Sequence, residues 1–253
     1  MKYFLLLTVM LFSFSFGYAQ KTPPDYSYII TTKRIVVKNE KLTTDDSSVY
    51  FIPVVSDKYP ELKKTLSDTS LFDGKTIDTV VNEYKTEGIG TSFFSYGIAY
   101  ADKNIISLQL YYETMGAQPD NSQRWLTLNI HTGKIYSIAN EIDSTGLKWI
   151  FTNYKALIKA RIEEEKVAGE QNTQTTAQEE ENNSIYDDLE HSIDNMEFEE
   201  MLKNYVFTDK GVIFTTEDIL PHVVHDREPA RNWLIPYNKL KPYILPGAIV
   251  LKK

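Results

Sequence analysis

The chain of 253 residues contains no cysteine. That absence excludes disulfides, thiolate metal sites, a thiol nucleophile and a lipid-modified N-terminal cysteine. Histidine is scarce as well, with four in the whole chain. Long apolar runs are missing beyond Phe4–Phe16, and that run is too short for a stable membrane anchor. Phosphate-loop spacing is absent too: Leu128 stands where the leading glycine would be needed, and Lys134 is followed by Ile135. Gly88-Ile-Gly90 lacks the third glycine of a dinucleotide site, and there is no Gly-x-Ser-x-Gly elbow. No Asp-x-Asp-x-Asp-Gly calcium spacing occurs.

The short apolar run has a function of its own. Lys2, Phe4–Phe16 and the small-x-small site Gly17-Tyr18-Ala19 read as a secretory signal peptide over residues 1–19. Cleavage leaves Gln20 first. The expectation is an exported protein, periplasmic or secreted, with no membrane span after cleavage. A cysteine-free exported chain suits a bacterial envelope.

The sequence is organised around Tyr96–Ile138. Ile106, Leu108, Leu110 and Tyr112 alternate with Ile105, Ser107, Gln109 and Tyr111, so the first set faces a core. Trp125–Ile130 alternates likewise. His131-Thr132-Gly133-Lys134 makes a tight turn with Gly133 at positive φ, and Ile135, Tyr136 and Ile138 form the return strand. Met115–Ser122 holds Gly116 and Pro119 and reads as a loop. Upstream, Tyr28–Val37 and Val49–Val55 read as strands, Pro53 marking an edge or bulge. Between them and the central stretch lie two helical patterns: Tyr59, Leu62 and Leu66, then Ile77, Val80, Val81 and Tyr84, with Asp73 placed to cap the second.

Downstream, Leu147, Ile150, Phe151, Tyr154, Leu157, Ile158 and Ile162 recur at helical spacing behind Asp143 or Ser144. This helix runs into an acidic tract. Glu163–Glu200 holds fourteen acids against Lys166 alone, a net of −13. Gly169–Ser184 is nearly free of apolar residues and reads as disordered, with a helical period returning at Ile185, Leu189, Ile193 and Met196. The whole chain carries −8. Without Lys2 it carries −9, so the body outside the tract is near +4. Tyr205–Thr208 and Val212–Thr215 form a hairpin about Asp209-Lys210-Gly211. Asn232–Ile235 is a strand, and Pro236–Tyr243 a short helical turn with an extended tail.

The expected fold class is α+β: a mainly antiparallel sheet covered by a few helices, with a long acidic disordered insertion at about 163–200. After the leader, residues 20–253 form a single domain, in an N-terminal part over 26–87 and a C-terminal part over 90–253.

Few residues advertise chemistry. His222 and His225 are spaced for a helical metal site, but Pro221 and two valines favour extended chain, which splits the rings. No metal and no cofactor is expected. The body's mild basicity falls far short of a nucleic-acid footprint. Tyr111, Tyr112, Trp125 and Tyr136 offer either a stacking surface or core packing. Met115–Arg124, between core strands, is the candidate binding loop, with Gln118, Asp120, Asn121 and Arg124 as polar groups and Trp125 beneath.

Several of these segments together resemble a known family: Ile105–Tyr112, the Gly116-Ala117 loop, Leu128-Asn-Ile-His-Thr-Gly-Lys134 and the helix after it, Phe207-Thr-Asp-Lys-Gly-Val-Ile-Phe214, and Trp233-Leu-Ile-Pro-Tyr237. They are similar to the uncharacterised domain found in the extracellular half of RsiV-type lysozyme-sensing anti-sigma factors and beside PdaC-type peptidoglycan deacetylases. Where that family has Gly-Gly-Ala-His in the loop, this chain has Met115-Gly116-Ala117-Gln118. The resemblance implies an α+β fold and a non-enzymatic binding role toward a lysozyme-like protein or a peptidoglycan-type glycan. The alternative is an envelope hydrolase or metal-dependent enzyme acting on cell-wall polymer, with a site built from Asp218, His222, His225 and Asp226.

Overall fold

The computed structural model describes residues 25–40, 47–116, 119–172, 176–216 and 229–252. The leader expected over 1–19, and Gln118, His222 and His225, lie outside the described residues.

The fold is α+β, as the patterns predict. Five strands form the main sheet: β1 (Ile30–Lys38), β2 (Ser47–Val55), β3 (Gly90–Ala101), β4 (Ile105–Met115) and β5 (Asp120–Asn129), in that spatial order. All pairings are antiparallel except β2 with β3, which meet through the single parallel pair Tyr50↔Phe94. That sparse pairing explains how Pro53 sits in a strand with neighbours on both sides. It pairs with Thr32 on β1, while the β3 ladder, which needs N–H donors, touches β2 only at Tyr50.

Between β2 and β3 lie α1 (Pro60–Thr65), α2 (Asp68–Leu71) and α3 (Ile77–Glu87). Pro60 takes the first turn, where its missing N–H costs nothing. Asp73 does not cap α3; Thr76 does, accepting from the Thr79 amide at 3.3 Å, because it stands immediately before the helix. Gly88 closes α3 in the left-handed conformation. The short α2 has no apolar period of its own and is not visible in the sequence pattern.

Two cores result. Ile106, Leu108 and Leu110 on β4 pack with Leu62, Leu71, Phe72 and Val80 of the α1–α3 layer. Ile105, on the opposite face of β4, belongs to a second core built on α4 (Ser144–Asn172), α5 (Thr176–Asp194) and a small sheet. That sheet is β6 (Tyr205–Phe207), β7 (Gly211–Phe214) and β8 (Trp233–Pro236), all antiparallel. A short helix, α6 (Phe198–Met201), leads into it, and α7 (Tyr237–Leu240) follows it.

Asp143 caps α4 by accepting from Gly146 N at 2.8 Å. α4 and α5 run antiparallel, fastened by Tyr186 OH to Glu165 O (3.3 Å) and Lys159 to Asp194 (2.6 Å). Ile158, Ile162, Leu189 and Ile193 close the space between them, so the returning period is a helix face. The backbone is helical to Asn172 and again from Thr176; the tract between, 173–175, lies outside the described residues.

One expected strand is absent. Ile135 makes only an isolated bridge to Leu128, and Ile138–Asn140 is a 3-10 turn. The reason is Glu141, whose fully buried carboxylate turns the chain inward. It accepts from Tyr136 OH (2.5 Å) and from the amides of Ile249 (2.9 Å), Val250 (3.1 Å) and Leu251 (2.8 Å). The C-terminal tail is thereby tied to the body.

Candidate functional site

The β4–β5 ribbon is the common wall of both cores, and its two faces end differently. On the inner face the register pairs Ile106↔Leu128, Leu108↔Leu126, Leu110↔Arg124 and Tyr112↔Ser122. This row is apolar until Arg124. The helical layer above it is short, and it leaves two adjoining concavities that share Leu71 and Arg124.

The first concavity holds about 360 Å3. Its aromatic wall is Phe72 and Tyr112, ring centroids 6.3 Å apart, with the buried Phe94 packed behind both at 4.9–5.0 Å. Tyr112 OH donates to Leu71 O at 3.2 Å. Burial pushes that hydroxyl up to about 12; nearby Arg124 draws it down and Asp73 pushes it further up. Lys75 and Glu83 on the rim satisfy each other at 2.7 Å.

The second concavity holds about 450 Å3. One wall is α1 with Lys64 and Thr65; the other is the turn Thr132–Ile135; Leu126 and Leu128 make the floor. Gly133 holds the two walls together. Its φ is +64°, as the turn pattern predicts. A Cβ there would lie 2.7 Å from Thr65 Oγ1 and overlap the Glu61 carbonyl. Thr65 Oγ1 donates to Gly133 O at 2.9 Å. Asn129 Oδ1 shapes the turn by accepting from the amides of His131 (2.9 Å) and Thr132 (3.0 Å).

The outer face of the ribbon is closed at the end that carries Ser107 and Thr127. Ser107 and Thr127 hydroxyls share a 2.9 Å hydrogen bond, both residues being essentially inaccessible. Thr127 donates to Tyr205 O (3.1 Å), and Ser107 accepts from Phe207 N (3.1 Å). These two β6 groups point away from β7, so the hydroxyls satisfy an edge that would otherwise be bare. Tyr205 OH, hydrogen-bonded to Tyr136 O, extends the seam to Glu141.

The expected binding loop needs correction. Met115–Arg124 is not one loop: β4 runs to Met115 and β5 starts at Asp120, with Thr114↔Asp120 and Glu113↔Asn121 paired. Cross-strand backbone pairing carries polar residues that no apolar period announces. Strand alternation then separates the candidates. Asp120 and Arg124 share the inner, concave face, while Asn121 and Trp125 belong to the outer one. Trp125 is only 4% exposed, its Nε1 donating to Gln123 Oε1 at 3.4 Å, so it is not a surface for stacking. Nor do the four aromatics share a surface: Tyr111 packs outward on Phe93, Tyr112 inward, and Tyr136 is buried on Glu141.

Sequence reasoning missed Lys64, Thr65 and Leu71, which reach the site only through the α1–α2 layer. Lys134 was visible, but only as part of a turn. Among the described residues no three His, Asp or Glu side chains converge as a metal would require, and no helix is long and apolar enough to cross a membrane.

No family model and no curated protein matches the chain. Among solved structures it is similar to a DUF3298 family protein from Pseudomonas aeruginosa, with 10% identity and a TM-score of 0.49, over 86% of this chain and 94% of that one. It is similar also to a member of the DUF3298 family from Bacteroides fragilis, with 13% identity and a TM-score of 0.46, over 86% of this chain and 93% of that one.

Proposed function

We propose that this protein is an exported, non-enzymatic binding domain of the bacterial envelope, related in role to the RsiV-type and PdaC-type accessory domains. Its ligand is a cell-wall glycan or a lysozyme-like protein. The observation that carries this reading is the pair of concavities meeting at Arg124 and Leu71 on the inner face of the β4–β5 ribbon. Both have walls fixed by strands, helices or a hydrogen-bonded turn, aromatic or aliphatic surface between them and a few polar groups at the rim, which is the usual make-up of a binding site.

The acidic arm favours the protein ligand specifically. α4 and α5 carry most of a tract of net −13 on a body near +4. Such a field accelerates encounter with a basic partner and fades with salt.

The test pairs two assays: co-sedimentation with insoluble peptidoglycan, and a kinetic titration with a basic lysozyme. Binding in either should weaken on Arg124→Ala. If lysozyme binds, deleting Glu163–Glu181 should mainly slow association at low salt. Failure to bind either ligand contradicts the reading, as does binding indifferent to Arg124.

A further inference from the structure

The second concavity has a charge balance that its walls do not explain. Lys64, Arg124 and Lys134 line it, against Glu61 as the one acid. Every ion pair among the described residues uses other lysines, and none of these three cationic groups makes a hydrogen bond there. The hydroxyls around them are already engaged: Thr65 on Gly133 O (2.9 Å), Ser70 on Lys64 O (3.2 Å), and Thr132 accepting from Lys134 N (3.4 Å). Three cations therefore converge on one concavity with their donors unspent, and a cleft lined by one sign of charge concentrates the opposite sign.

Its floor has a different character. Half-buried Leu126 lines it above the buried Leu128, and Ile135, 60% exposed, extends the apolar strip to the rim. A bare inorganic anion would leave that strip in water. A long hydrocarbon would leave the cations unused.

We propose that this concavity is a site for a small carboxylate whose body has an apolar face. The acid lies among Lys64, Arg124 and Lys134, and the body rests on Leu126 and Ile135. This rests on the binding-domain reading and names the ligand class for one part of its groove. A sugar acid and an acyl carboxylate share the chemistry, and the probes separate them.

The experiment is an amide-resolved NMR titration of the protein with N-acetylmuramic acid, octanoate and N-acetylglucosamine. A carboxylate should move the amides of Thr65, Thr132, Gly133 and Lys134. The triple variant Lys64→Gln, Arg124→Gln, Lys134→Gln should bind it at least about tenfold more weakly, the loss expected from one charge-assisted hydrogen bond. All three residues are exposed, so the melting temperature should hold, and Lys64→Arg should retain binding. Response to N-acetylmuramic acid supports the site and identifies a sugar acid; response to octanoate alone supports it and identifies an acyl carboxylate. Equal response to N-acetylglucosamine, unchanged affinity in the triple variant, or no response to either carboxylate overturns the proposal. Peptidoglycan co-sedimentation that survives any of these leaves the binding-domain reading standing without it.

Discussion

The two faces of the β4–β5 ribbon are built from similar lengths of strand and closed in opposite ways. The inner face is the more apolar, with Ile106, Leu108, Leu110, Leu126 and Leu128, yet it stays open at one end, where α1 and α2 stop short of Arg124. The outer face carries Ser107 and Thr127, and around them it is sealed, because their hydroxyls meet the backbone edge of β6; toward Asn121 and Gln123 it is exposed. Side-chain polarity does not say which face is solvated. What decides is whether another element brings complementary groups: apolar area for the inner face, unpaired N–H and C=O for the outer.

Glu141→Leu should break the contrast most severely. It removes an acceptor from three buried or half-buried tail amides and from Tyr136, at roughly 1–3 kcal/mol for each buried group left unpaired. The summed loss, about 3 kcal/mol or more, should appear in denaturant unfolding together with early proteolysis of the tail. A variant as stable as the parent means the tail contributes nothing to closing the second core.

Gly133→Ala acts on the open side. A left-handed alanine costs about 1–2 kcal/mol by itself, and overlap with α1 adds to it. The turn should lift from α1, weakening ligand binding beyond the stability loss. Binding that is unaffected would show that the walls of the second concavity are not those of the site.

Ser107→Ala on the closed side should cost about 1–3 kcal/mol, the penalty for one buried amide, Phe207 N, left without an acceptor. Ligand affinity should not change, since this face is sealed. A loss of affinity comparable to that of Gly133→Ala would erase the distinction between the faces.

The smallest contrast appears only in alkali. Burial raises the Tyr112 hydroxyl on the open side to about 12, and it raises those of Tyr136 and Tyr205 on the closed side as well. A phenol raised in the fold keeps its full contribution below the unfolded value near 10 and loses it as pH climbs through the folded value. Stability should therefore be flat up to pH 10 and fall above it. Tyr112→Phe removes one such phenol, so its fall in stability above pH 10 should be shallower than the parent's, and an identical fall would contradict the assignment.

Much of the architecture was legible because periodicity reports burial. Ile106, Leu108 and Leu110 announced a core face, Leu147–Ile162 a helix, and Gly133 a positive φ. The site was less legible. Arg124 stood out as a polar residue between core strands, but its neighbours in sequence, Asn121 and Trp125, go to the other face because alternation separates them. Lys64 and Leu71 are more than fifty residues away, and only the α1–α2 layer brings them to Arg124. Glu141 looked like one more acid; its burial depends on amides over a hundred residues further on, which carry no signal of their own.

The absence of cysteine makes the central claim directly measurable. Arg124→Cys places one thiol at the junction of the two concavities, and Ser107→Cys places one in the hydroxyl seam behind them. Maleimide labelling of the first should be fast and should slow when soluble peptidoglycan fragments or lysozyme saturate the protein. The second should label only on unfolding, with or without ligand. Labelling at position 124 that a bound ligand leaves untouched would contradict the account.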